Sequence, residues 1–153
     1  MWEIDEAGEE SLIEDTFDWL AQHKGTGDVW YFGEAVKNFE DGVLVSLDGS
    51  FEAGTGFDKA GFWVLADPRA GDLYPQEFSL GNAEDIAEVI SVGEETVSVP
   101  VGVFDSGILK TMDSSPHSPG EFEFKFYAPG VGLVMETNPN TGDRLQLVDM
   151  IDP

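Results

Sequence analysis

Apolar and polar residues alternate with a period of two through much of this chain. Residues 121–128 read Glu-Phe-Glu-Phe-Lys-Phe-Tyr-Ala. Successive side chains of a strand point to opposite sides, so Phe122, Phe124 and Phe126 share one face and Glu121, Glu123 and Lys125 the other. This is the pattern of a half-buried strand. Residues 95–101 place Val97, Val99 and Val101 on one face and Thr96 and Ser98 on the other. Residues 12–22 align Ile13, Phe17, Trp19 and Ala21, with Asp15 interrupting the row. Further strands are expected over 28–36, 43–52, 61–66, 73–80, 103–111, 131–137 and 144–150.

Turn residues separate these segments at short intervals: Gly25-Thr26-Gly27-Asp28, Glu40-Asp41-Gly42, Asp67-Pro68-Arg69-Ala70-Gly71, Pro129-Gly130 and Asn140-Thr141-Gly142-Asp143. Connections this short make neighbouring strands antiparallel, because a parallel crossover needs a dozen residues or more. One stretch reads two ways. Asn82-Ala83-Glu84-Asp85 resembles a helix cap with acid in its first turn, and Ile86, Val89 and Ile90 follow helical spacing. Read as a strand, Ile86, Glu88 and Ile90 fall on one face and Ala87 and Val89 on the other, and this reading is preferred. The expected fold is all-β: an antiparallel meander curled into a half-barrel or open barrel, with at most one short helix. A single domain is expected over 11–153, after a polar and frayed segment 1–10.

Composition narrows the function classes. The 31 acidic residues outnumber 7 basic ones, for a formal net charge of −24 over 153 residues. Such a surface repels nucleic acid and anionic lipid. The 11 Phe, 4 Trp and 3 Tyr are too many for a disordered acidic tail, so the chain is expected to fold with its acid outside. A dense carboxylate shell serves solubility at high salt or the collection of Ca²⁺. There is no cysteine, which removes disulfides, thiolate zinc sites and cysteine nucleophiles. No apolar run reaches the roughly 20 residues of a spanning helix. The start, Met1-Trp2-Glu3-Ile4-Asp5-Glu6, lacks the basic region and apolar stretch of a secretion signal. An exported protein is therefore expected to carry its signal outside these residues; the cytoplasm of a salt-adapted organism is the alternative.

Three stretches have a familiar look together. Asp18-Trp19-Leu20-Ala21-Gln22-His23 leads into Val29-Trp30-Tyr31-Phe32-Gly33-Glu34. Gly71-Asp72-Leu73-Tyr74-Pro75-Gln76-Glu77 leads into Ala83-Glu84-Asp85. Tyr127-Ala128-Pro129-Gly130-Val131-Gly132-Leu133-Val134 follows. In order and spacing, over roughly residues 11–149, the chain resembles an uncharacterised family of exported or lipid-anchored prokaryotic β-rich proteins. Two positions depart from it: His23 stands where the family has Asp, and Leu20 where it has an aromatic. The family also has more chain before the first of these strands. The resemblance implies a β fold and an extracellular or envelope location, and it supplies no catalytic residues.

The candidate chemistry is sparse. Trp30-Tyr31-Phe32 lies on an expected strand, so its rings alternate between faces. The plain reading is a central strand covered on both sides. The sharper one is that Trp30 or Tyr31, with Trp19 and Trp63, lines a concave face for an apolar or sugar-like ligand, with Glu34 and Glu52 beside it. Asp18, Glu34 and Glu52 raise the alternative of glycoside hydrolysis, which needs two carboxylates at a set separation. In a chain this acidic, some such pair is always present. Asn138-Pro139-Asn140-Thr141-Gly142-Asp143 misses the calcium-loop spacing and reads as a hairpin turn. His23 and His117 stand alone, short of a zinc site or a Ser-His-Asp triad. The expectation is a non-enzymatic, acidic envelope or extracellular protein that binds a ligand or partner on an aromatic sheet face, as a monomer or weak oligomer. No cofactor and no membrane insertion are expected, beyond loosely held calcium. A carboxylate-dependent hydrolase of glycans and a subunit that pairs through its sheet edges are the alternatives.

Overall fold

A computed structural model describes residues 1–4 and 7–151. Asp5, Glu6, Asp152 and Pro153, inside the segments expected at either end, lie outside the described residues. Among the described residues sixteen strands follow in order: β1 (Trp2–Ile4), β2 (Glu10–Leu12), β3 (Glu14–Gln22), β4 (Val29–Glu40), β5 (Val43–Ser46), β6 (Phe51–Glu52), β7 (Lys59–Val64), β8 (Leu73–Pro75), β9 (Glu77–Phe78), β10 (Ile86–Val92), β11 (Val97–Val99), β12 (Gly102–Phe104), β13 (Leu109–Ser114), β14 (Phe122–Ala128), β15 (Gly132–Thr137) and β16 (Arg144–Gln146). Every pairing is antiparallel, and none of the sheets closes into a barrel. Among the described residues there is no helix, and so none long and apolar enough to cross a membrane. The stretch 86–92 is a strand, with Ala87 and Val89 buried on one face as its alternation requires.

The chain forms two compact units, Met1–Val64 with Gln76–Glu84, and Leu65–Pro75 with Asp85–Pro153. The first holds a six-stranded sheet in which β3, β4, β7 and β9 follow one another and β5 and β6 also pair with β4. Trp2–Ile4, inside the stretch read as frayed, pairs with β2. The amides of Ile13 and Glu14 donate to the carbonyl of Met1, which ties the chain start to the head of β3.

The second unit holds a six-stranded sheet in the order β16-β15-β14-β13-β10-β8, with β11 and β12 as a separate hairpin. Val97 and Val99 from that hairpin join Ile108, Phe126, Ala128, Val134 and Met135 in a buried core. Phe124 packs against this core and Lys110 Nζ lies 4.4 Å from the centre of its ring. The alternation of 95–101 and 121–128 thus places its apolar faces as expected.

The polar face of β14 corrects the reading of a strand with one solvated side. Lys125 keeps only 14% of its side-chain surface, and Asp113, beside it on β13, keeps 3%. Lys125 Nζ lies 3.2 Å from Asp113 Oδ2 and 3.9 Å from Glu136 Oε2. Charged residues tolerate such burial because they are paired. The register brings them together: Lys125 stands opposite Thr111 on one side and Glu136 on the other.

Candidate functional site

The site residues singled out in the sequence lie on β3, β4, β6 and β7 of the first unit. A β-bulge decides how they are shared between the two faces of that sheet. Asp18 pairs with Glu34, and Leu20 pairs with Tyr31. Over the same distance β3 advances two residues and β4 three, so Phe32 and Gly33 together stand opposite Trp19. Without the bulge, Tyr31 and Glu34 would point to opposite faces. With it, both share the inner face with Asp18.

Glycine is required at this point. Gly33 has φ +134°, and a Cβ built on it would sit 2.1 Å from the carbonyl oxygen of Phe51 on the adjacent β6. The Ala53 amide donates to the Phe32 carbonyl at 2.7 Å, so the same neighbouring segment also holds this corner by a backbone bond.

On the inner face Tyr31 is 2% exposed and packs edge-on against Phe51 and Trp63, at ring-centre distances of 5.5 and 4.9 Å. Ala83 completes this cluster. The Tyr31 hydroxyl donates to Asp18 Oδ1 at 2.7 Å. Burial, then the charge of Glu34 and the bond to Asp18, push the Tyr31 hydroxyl far above its ordinary pKa, so it stays a donor. Glu34 is pushed up to about 7, first by burial and then by the neighbouring Asp18 charge, against hydrogen bonds with Tyr31 and Glu77. The inner face therefore holds the Glu34 carboxyl, pushed up to about 7, directly opposite Asp18. Tyr31, Phe51 and Trp63 fill the space next to them.

On the outer face the register aligns Trp19, Ala21, Trp30, Phe32, Glu52 and Phe62. Trp30 lies on Phe62 at 4.2 Å between ring centres, and Phe17 meets Trp19 edge-on at 6.1 Å. Phe17 is 65% exposed, Phe32 42% and Trp19 38%. Trp19, Phe32, Glu52 and Ala53 line a shallow cavity of 210 Å³. At the end of this face Lys37 Nζ pairs with Asp15 at 2.9 Å and holds its carboxyl below the ordinary value.

The six expected ligand residues therefore do not form one wall. Trp19, Trp30 and Glu52 face outward with Phe17, Phe32 and Phe62; Tyr31, Glu34 and Trp63 face inward. Sequence reasoning passed over Phe17 and Phe62, although the alternation of 12–22 already placed Phe17 beside Trp19. It also passed over a cavity of 190 Å³ in the second unit, lined by Asp85, Asp113, Glu121 and Glu123 with Ser114, Ser115, Ser118, Phe122 and Asn138. No spacing in the sequence joins those residues. Among the described residues no group of three or more His, Asp or Glu is placed to hold a metal ion. The Asn138 side chain accepts from the amides of Asn140 and Thr141, which makes 138–143 a turn closed on itself. Neither the family models, nor the curated proteins, nor the solved structures contain a match to this chain.

Proposed function

We propose that this chain is a non-enzymatic binding module that takes a glycan on the outer aromatic face of its first unit. One observation carries the reading: Phe17, Trp19 and Phe32 hold their rings in solvent on one sheet face, next to Glu52 and a shallow cavity. Exposed aromatic surface of this kind is costly unless something covers it. A sugar ring offers an apolar face that stacks on an indole or phenyl ring and hydroxyls that donate to a carboxylate. The family resemblance supports an extracellular or envelope setting, where glycans are abundant and an acidic surface is tolerated.

Hydrolysis is the second reading, favoured by the directly opposed Asp18 and Glu34, the second of them pushed up to about 7. Its weakness is Glu34, which is half-buried on the face filled by Tyr31 and Trp63.

Affinity electrophoresis tests the binding reading, in gels cast with xylan, mannan or hydroxyethylcellulose. Retardation in at least one gel is expected. It should be lost in Trp19→Ala with the melting temperature unchanged. Unretarded migration in all three, or retardation that survives Trp19→Ala, rules the reading out. Release of reducing sugar that disappears in Glu34→Gln would favour the hydrolase.

A further inference from the structure

We propose that the open edge of β3 is a strand-addition site for an extended, basic segment of a protein partner, in which Lys or Arg alternates with apolar residues. This goes beyond the glycan reading, because it concerns the edge of the sheet and not its face.

β3 is the outermost strand of its sheet. Among the described residues the chain start covers the head of it, through the bonds from Ile13 and Glu14 to Met1. From Phe17 to Gln22 every residue is exposed. An edge of this kind presents a row of unpaired backbone groups. Natural edges are often blunted by Lys or Pro, and Glu-Asp-Thr-Phe-Asp-Trp-Leu-Ala-Gln contains neither; the bulge opposite Trp19 and the inward Asp18 are the features of this edge that a partner strand has to match.

The side chains specify the partner. One face of β3 carries Glu14, Thr16, Asp18, Leu20 and Gln22; the other carries Asp15, Phe17, Trp19 and Ala21. A strand added alongside places every second residue against Asp18 and the rest against Phe17 and Trp19. Asp18 stands directly opposite Glu34, and like charges in that relation repel. The residues of β4 on that face, Tyr31, Glu34, Val36 and Asn38, bring no cation. Lys37 serves Asp15 on the other face. A partner's Lys or Arg at Asp18 would supply the missing charge. A second copy of this chain fits poorly, because each copy carries −24 and repeats the acid on its own edge.

The test uses the full chain, ¹⁵N-labelled, with two blocked octapeptides of equal charge. One alternates lysine with valine; the other alternates lysine with proline and cannot complete a ladder of hydrogen bonds. The lysine–valine peptide is expected to slow exchange of alternate amides within 15–22 by tenfold or more. It should also lower the midpoint at which the Glu34 carboxyl titrates. The lysine–proline peptide should do neither. Asp18→Asn keeps an acceptor for Tyr31 and should bind the lysine–valine peptide about tenfold more weakly. Equal binding of both peptides without protection of 15–22 would mean attraction to net charge alone and overturns the proposal. So does the absence of binding. Sedimentation of the free chain as a dimer with 15–22 already protected would assign the edge to a second copy instead. None of these outcomes depends on retardation in a glycan gel, so the two readings fail separately.

Discussion

Glu34 and Glu136 occupy matched places in two different sheets. Each lies on a central part of its sheet, and each stands directly opposite a charged residue of the neighbouring strand. Across from Glu34 is Asp18; across from Glu136 is Lys125. Opposite neighbours should drive the two carboxyls apart, yet both are pushed up to about 7. Burial is the largest cause in each. For Glu34 the Asp18 charge adds to it, while hydrogen bonds with Tyr31 and Glu77 oppose it. For Glu136 the Lys125 charge opposes it, while a hydrogen bond and repulsion from Glu123 restore it. Lys125 is also closer to Asp113 than to Glu136, so its charge is largely committed elsewhere. In a chain with so few cations, a buried lysine shared among several acids leaves one of them protonated just as a missing lysine does.

The largest effect is expected from removing the shared cation. Lys125→Met leaves Asp113 and Glu136 buried without a counter-charge and should cost about 3–5 kcal/mol in a urea titration. A loss below about 1 kcal/mol would mean that the acids around it are solvated, and the contrast with Glu34 would collapse. Gly33→Ala should come next. It forces a Cβ into the Phe51 carbonyl at a φ that side chains rarely adopt, at a cost of about 1–3 kcal/mol. Its melting temperature should fall together with loss of the Tyr31–Asp18 bond, seen as an earlier titration of the Tyr31 hydroxyl.

The pH dependence separates the two carboxyls. Their folded values of about 7 lie above the ordinary 4.5. Between those values the folded chain keeps protons that the unfolded chain has released, so stability should fall as pH rises from about 4.5 through about 7 and then level off. Glu34→Gln should flatten its part of that decline and stabilise the chain at pH 8, by about 1 kcal/mol given its partial exposure. Carboxyl NMR sharpens the comparison. Asp18→Asn should lower the Glu34 midpoint, whereas Lys125→Met should raise that of Glu136. Shifts in the same direction would contradict the assigned neighbours. The smallest effect belongs to Phe17→Ser, expected within about 0.5 kcal/mol because the ring lies in solvent. A larger loss would place that ring against protein and remove it from the proposed binding face.

Alternation by itself determined that this chain is made of strands, because the period of two is a local property of the extended backbone. It located 95–101 and 121–128 and which of their residues share a face. It favoured a strand at 86–90 over the helix that its cap residues also permit. It also put Phe17, Trp19 and Ala21 in one row. Only the tertiary structure decided what each row meets, since alternation is the same whether a face is buried or bare. The apolar row of β3 turned out to face solvent, and the polar row of β14 turned out to be enclosed. The split of the expected ligand residues was decided by one extra residue at Phe32-Gly33, which shifts Glu34 to the face of Tyr31 while Trp30 stays with Trp19. Glycine is common enough in this chain that nothing marked Gly33 as a bulge before Phe51 was seen pressed against it. The Asp113–Lys125–Glu136 group was beyond reach for the same reason. Its members come from three strands, and only their register brings one ammonium within 4 Å of two carboxylates.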